Sequence, residues 1–173
     1  MKVIDTGFEG LILIEPKLFE DERGVFYESW RVADYQKLGI QEKFLQDNVS
    51  TSKKNVLRGM HYQKNQGQLV TVVHGKIFDV VVDIRPESKT YKKYFSIELN
   101  ADKQQQLYMS PGFAHGFCVL SNIAIIHYKC TQYYDASQEG GIIWNDPEIG
   151  IEWPDGSFTI SKRDIDYRKI QGI

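Results

Sequence analysis

Leu69-Val70-Thr71-Val72-Val73-His74-Gly75-Lys76-Ile77-Phe78-Asp79-Val80-Val81-Val82-Asp83-Ile84 decides the fold class. Two β-branched runs, Leu69 to Val73 and Ile77 to Ile84, flank the turn signal His74-Gly75-Lys76. Branching at Cβ crowds a helix but suits a pleated strand. The runs are also too short for a stable helix. The stretch therefore predicts two strands, with His74 as a solvated residue of a hairpin turn.

Outward from this stretch the pattern repeats. Tyr94 to Leu99 alternates with period two, and Gln106 to Met109, Phe117 to Leu120 and Ile123 to Lys129 follow as short apolar runs. Turn signals separate them: Arg85-Pro86-Glu87-Ser88, Asn100-Ala101-Asp102, Ser110-Pro111-Gly112 and Ser121-Asn122. Upstream, Leu11 to Glu15 and Val25 to Ser29 are further strand candidates. Two short helices are predicted: Ser29 to Lys37, capped by Ser29 with Gly39 past its end, and Ser161 to Arg168, capped by Ser161. Many short strands without helices between them argue for an all-β antiparallel sandwich or barrel rather than βαβ units.

Composition bounds the function. The chain has 173 residues, of which 42% are hydrophobic, enough for one real core, so we expect a single domain over 1–173 and not a disordered chain. Lys and Arg number 21 against 23 Asp and Glu, a net charge of −2. That balance argues against nucleic-acid or membrane-surface binding, which needs a basic field. No run approaches the ~18 apolar residues of a membrane span. The apolar run Leu11 to Ile14 is too short for a signal peptide, so the expected location is the cytoplasm. Cys118 and Cys130 show no metal-ligand spacing and read as reduced core thiols.

Four histidines are present: His61, His74, His115 and His127. His61 and His115 sit in similar contexts, Arg58-Gly59-Met60-His61 and Gly112-Phe113-Ala114-His115-Gly116, where glycine allows close backbone approach. His127 lies within a strand and reads as a half-buried structural histidine. A metal site needs at least three protein ligands, and His61-Tyr62-Gln63 offers one histidine where a metal-binding motif would offer two. Acid–base chemistry fits better: a histidine near neutral pH is the usual general base once a carboxylate fixes its tautomer. Arg23 and Arg58 each precede glycine, as a guanidinium that clamps a phosphate can do. Gln46-Asp47-Asn48-Val49-Ser50 could read a nucleobase edge or form a polar loop.

Taken in order, Asp21-Glu22-Arg23-Gly24-Val25-Phe26-Tyr27-Glu28, Gln46-Asp47-Asn48-Val49-Ser50, Val56-Leu57-Arg58-Gly59-Met60-His61-Tyr62-Gln63, Phe78 to Arg85, Pro111-Gly112-Phe113-Ala114-His115-Gly116-Phe117, Tyr128-Lys129-Cys130-Thr131 and Trp144-Asn145-Asp146-Pro147 form a series. The series resembles the dTDP-4-dehydrorhamnose 3,5-epimerase family. The resemblance implies a cupin-type jelly roll, a homodimer, no metal or organic cofactor, and a nucleotide-activated 4-keto-6-deoxyhexose as substrate. By motif, His61 matches the family's general base, Asp164 its carboxylate partner and Tyr128 the acid on the other face of the sugar. Arg23, Arg58 and His115 match groups around the diphosphate and sugar. Phe26 belongs to the same motif as Arg23, Glu28, Gln46 and Asn48 match groups near the nucleoside, and Tyr134 matches a pocket tyrosine. The chain departs from the family where Gln68 replaces a lysine, after a shorter loop, Lys64 to Gly67. An amide there donates to an enolate oxygen without a full charge. The alternatives are an epimerase of C3 alone and a jelly roll that binds a sugar nucleotide without turning it over.

Overall fold

In the computed structural model, which describes residues 1–170, Leu69 to Ile84 folds as two strands that belong to different sheets. In chain order the strands are β1 (Lys2–Asp5), β2 (Leu11–Glu15), β3 (Phe19–Asp21), β4 (Gly24–Phe26), β5 (Gln46–Lys53), β6 (Val56–Gln63) and β7 (Gln68–His74). They continue with β8 (Lys76–Asp83), β9 (Tyr94–Asn100), β10 (Gln106–Met109), β11 (Phe113–Val119), β12 (Ile123–Cys130), β13 (Glu139–Gly141) and β14 (Thr159–Ile160). Two short helices, α1 (Val32–Lys37) and α2 (Lys162–Ile165), complete the set. One sheet runs β1-β2-β10-β7-β12-β5 and the other β13-β6-β11-β8-β9, with β14 adding in parallel beside β6. Among the described residues every other pairing of two named strands is antiparallel.

The expected hairpin at His74-Gly75 is therefore not one. β7 pairs with β10 and β12, while β8 pairs with β11 and β9. The chain bends at Gly75, which has φ +76°, and crosses from sheet to sheet. A Cβ there would sit 2.1 Å from the Ile123 carbonyl oxygen, so the crossing needs glycine. His74 is exposed, as expected.

Alternation explains the rest. Leu11, Leu13, Val70, Val72, Ile77, Val81, Leu107 and Ile126 fill the space between the sheets. The opposite faces are not bare. Val80 and Val82 lie under Ile142, Ile149 and Ile170, whereas Leu69 and Ile14 lie under Tyr35 and Ile40. Strands buried on both sides read as continuous apolar runs, which is why Ile77 to Ile84 shows no polar face.

Several boundaries move. The first helix starts at Val32, not near Ser29, and its N-cap Arg31 makes no side-chain cap. The Ser29 carbonyl instead accepts from the Tyr35 hydroxyl and the Gln106 amide, each at 2.9 Å, which ties it to the sheet. Ser161 does cap α2, accepting from the Asp164 N–H at 3.1 Å. That helix stops at Ile165, because Arg168 bridges to Ile142 and its carbonyl accepts from the Ile143 N–H at 2.9 Å. Val25 to Ser29 contributes only the short β4, and the strand drawn from Phe117 begins at Phe113.

Candidate active site

A cavity of about 490 Å³ opens between the two sheets. From one sheet β5 sends in Gln46, Asn48 and Ser50, β12 sends Tyr128 and Cys130, and β7 sends Gln68. From the other, β6 contributes Arg58, His61 and Gln63, and β11 contributes His115 and Phe117. Tyr134, Glu139 and Arg163 line it as well. The stretch Gln46 to Ser50 is thus a strand, with its polar residues at every second position turned inward.

Arg58 and His61 share the cavity only because β6 is irregular. Residues three apart on a regular strand point to opposite faces. Here His115 pairs with His61 and Phe117 with Arg58, so two steps on β11 match three on β6. The extra residue is a bulge at Gly59, which has φ +135°. A Cβ on Gly59 would stand 2.5 Å from the Gly116 Cα, so the two glycines let the strands close over the bulge.

His61 Nε2 lies 2.9 Å from Asp164 Oδ1, and the second carboxylate oxygen accepts from the Gly59 N–H at 3.3 Å. Only 3% of the Asp164 side chain is exposed. Burial pushes its carboxyl up, but His61, Ser161 and the Gly59 N–H outweigh this and hold it below the usual range. The carboxylate therefore stays ionised, keeps the proton on Nε2 and leaves Nδ1 free to take one. Tyr128 stands on the other sheet. Burial raises its phenol above the ordinary value, Cys130 adds to this, and Arg58 opposes it. A tyrosine so placed is protonated at neutral pH and can act as an acid.

A second histidine–carboxylate pair stands beside the first. His115, the register partner of His61, has Nε2 2.8 Å from Oδ2 of the fully buried Asp79. Asp79, like Asp83, is a carboxylate within a β-branched run, a pattern that signals a buried partner. Arg58 donates through Nε to Ser52 Oγ at 3.0 Å, and Gln68 donates to Gln66 Oε1 at 3.0 Å. At the rim, Glu139 accepts from the Tyr134 hydroxyl at 2.9 Å and from Arg163 Nη1 at 3.1 Å. Neither Glu139 nor Arg163 has a signature in the sequence, since charged residues near turns carry no distinguishing pattern. Among the described residues no group of three His, Cys, Asp or Glu side chains is placed to hold a metal ion.

The structure brings His61, Tyr128, Gln46, Asn48, Arg58, Gln68, His115 and Tyr134 to one cavity, with Asp164 behind His61. It does not bring Arg23, Phe26 or Glu28 there. Arg23 sits on the β3–β4 hairpin, 85% exposed, clasped by Asp21 at 2.5 Å, and Glu28 lies 3.6 Å from Arg31. Phe26 is 67% exposed. His127 faces away from the cavity, 3.4 Å from Asp47.

The model of the dTDP-4-dehydrorhamnose 3,5-epimerase family matches residues 5–171. The chain belongs to that family. The dTDP-4-dehydrorhamnose 3,5-epimerase of Escherichia coli (strain K12) is 48% identical over 92% of this chain and 89% of its own length. The crystal structure of an epimerase of this family from Legionella pneumophila Philadelphia 1, in complex with dTDP-4-keto-L-rhamnose, superimposes with a TM-score of 0.95 at 44% identity, covering 98% of this chain and 93% of that one. A dTDP-4-dehydrorhamnose 3-epimerase from Streptomyces niveus is 36% identical over 96% of this chain and 82% of its length. The two facing sheets are the family's cupin-type jelly roll.

Proposed function

We propose that this protein is a cofactor-independent epimerase that inverts C3 and C5 of a nucleotide-activated 4-keto-6-deoxyhexose, turning dTDP-4-dehydro-6-deoxy-D-glucose into dTDP-4-dehydro-L-rhamnose. The observation that carries this is His61 on one sheet and Tyr128 on the other at one cavity, with Asp164 of α2 behind His61. A C4 ketone acidifies the hydrogens on C3 and C5. His61 Nδ1 takes one of them, and the electron pair moves to the C4 oxygen as an enolate. Tyr128 returns a proton from the opposite face and the centre inverts. Exchange with solvent then resets both groups, His61 losing its proton and Tyr128 regaining one, before the second centre reacts. Arg58 and His115 serve the diphosphate and sugar, Gln46 and Asn48 the nucleoside, and Tyr134 the cavity wall.

Arg23, Phe26 and Glu28 serve the cavity of a second protomer in a homodimer. The support is their position on or just after a projecting hairpin whose Phe19, Val25 and Phe26 are all exposed. Both cysteines are unpaired thiols, which supports a reducing, cytoplasmic setting. No helix of the described residues is long and apolar enough to cross a membrane.

The test is proton exchange in deuterated water with dTDP-4-keto-6-deoxyglucose, C3 and C5 being read separately by NMR. Deuterium should enter at both centres with inversion. Exchange at C3 alone would replace this with a C3-epimerase, a reading favoured by the uncharged Gln68 in the cavity wall. No exchange at either centre would leave a sugar-nucleotide-binding jelly roll.

A further inference from the structure

Beyond the pair of His61 and Asp164, the base has a third neighbour. Tyr167 lies in the tail after α2, and its ring centroid is 5.6 Å from that of His61, with the planes at 66°. This is an edge-to-face contact. The space for the ring is made by a missing side chain. Gly141 on β13 is the direct register partner of His61 on β6. Residues opposite each other in an antiparallel pair project to the same face. A Cβ at Gly141 would come 2.5 Å from Tyr167 Cε2 and Cζ, so the ring occupies the place beside His61 that any other residue at 141 would fill.

The tail is fastened on both sides of this ring. Before it, the Ser161 cap and the Asp164 carboxylate hold α2 to β6. After it, the Arg168 carbonyl accepts from Ile143, and the Ile170 N–H donates to the buried Asp146 at 2.7 Å. The Ile170 side chain is buried in the cluster with Met60 and Ile142. One short segment thus delivers the carboxylate that meets His61 Nε2 and the ring that meets the imidazole from its side. Tyr167 is not among the residues that line the cavity, and its ring meets the cavity histidine His61 from outside.

We propose that Tyr167 is a positioning residue for the base, its ring fixing the orientation of the His61 imidazole so that Nδ1 faces the sugar carbon. This rests on His61 being the base of the proposed epimerase. Asp164 alone leaves the imidazole free to swing about one hydrogen bond, and the Tyr167 ring removes that freedom. The ring is needed and the hydroxyl is not.

The experiment compares Tyr167→Phe, Tyr167→Ala and Tyr167→Leu with the wild type in steady-state epimerisation and in deuterium exchange. Tyr167→Phe should keep full activity. Tyr167→Ala should lower kcat by about ten- to 10²-fold, up to the loss that a misplacement of about 1 Å can cause, while KM stays unchanged. Tyr167→Leu keeps apolar bulk at the site and should lose as much as the alanine variant, which supplies the answer should alanine fail to fold. In the NMR spectrum the His61 ring protons should shift in Ala and Leu but not in Phe, a signature independent of turnover. Unchanged kcat in folded Ala and Leu variants would overturn the proposal, as would a Phe variant as impaired as Ala, or a rise in KM with kcat intact. Absence of exchange in the wild type would instead sink the epimerase reading, and the His61 shift would then still report the contact.

Discussion

Replacing Asp164 by Asn tests the base in its most revealing form, because the change is isosteric and the structure says how the amide will sit. The Asp164 carboxylate makes two hydrogen bonds, to His61 Nε2 at 2.9 Å and to the Gly59 N–H at 3.3 Å, and Arg163 Nε lies 3.7 Å from the oxygen that meets His61. An ionised carboxylate accepts from both. An amide has one oxygen, and the Gly59 N–H can only donate, so the oxygen turns to Gly59 and the NH₂ group to His61. Nε2 must then be the unprotonated nitrogen, the proton moves to Nδ1, and Nδ1 can no longer accept one. Two losses add. A hydrogen bond to a charged group is worth about 1.5–3 kcal/mol, roughly 10- to 10²-fold in rate. The wrong tautomer costs more, and in the serine-protease triad the same substitution lowers kcat about 10⁴-fold. We expect exchange at C3 and C5 to fall together by about 10²- to 10⁴-fold, with binding of dTDP unchanged because Asp164 does not line the cavity. The assay is NMR-detected deuterium exchange, with a thermal melt to confirm the fold. A folded variant that loses less than about five-fold, or loses at one centre only, would refute both the tautomer argument and a single base for both carbons.

Tyr128→Phe should still let His61 remove a proton but should impair its return on the far face, so that deuterium washes in with configuration retained; inversion at the wild-type rate would place the acid elsewhere. Gln68→Lys should raise exchange at whichever centre is slower in the wild type, since a charge-assisted bond to the enolate oxygen is roughly twice as strong as the amide's; equal rates at both centres in the wild type and no gain in the variant would mean another donor serves that oxygen. Burial pushes the fully buried Asp83 carboxyl up, but Arg85, Ser88 and Thr90 outweigh it and bring it to about 2, below its unfolded value, so its stabilisation is present above pH ~4 and is lost as pH falls towards 2. Asp83→Asn should remove about 2 kcal/mol of that acid-side dependence in denaturant titrations at stepped pH. Mixing inactive Arg23→Ala and His61→Ala chains should regenerate activity at about one site in four if the hairpin serves a partner's cavity in a two-fold dimer, and no regeneration would return Arg23 to its own chain.

The all-β architecture is legible because alternation and β-branching are local. Pairing is not. The signal at His74-Gly75-Lys76 says that the chain turns, and it does, but nothing within those residues says whether the next strand returns beside the last or crosses to the facing sheet. That choice is made by the strands that flank each of them, β10 and β12 beside β7, β11 and β9 beside β8, all of them later in the chain. The strand β5 is illegible for the opposite reason. Gln46, Asn48 and Ser50 of β5 point inward while Val49 is 67% exposed, so the apolar and polar faces are exchanged. Pattern reasoning assumes that the inner face is oily, and here the inner face is a binding cavity.

The same distinction separates the site residues. Glycine beside His61 and beside His115 marks close backbone approach, and the structure shows what that approach achieves. Gly59 and Gly116 pack over a bulge that turns Arg58 and His61 to one side. The flanking glycines were visible, but the bulge was not, because its register is defined by β11 and not by β6. Asp164 came only through family resemblance, since a carboxylate 103 positions from its histidine has no local signature. Phe26 and Glu28 rest on the same resemblance, Arg23 has only the glycine after it as a local sign, and the chain's own cavity holds none of the three. A motif match transfers a residue's chemistry but not the copy of the chain on which it acts. The exposed hairpin is therefore where sequence similarity and single-chain geometry disagree, and a second protomer is the simplest arrangement in which both hold.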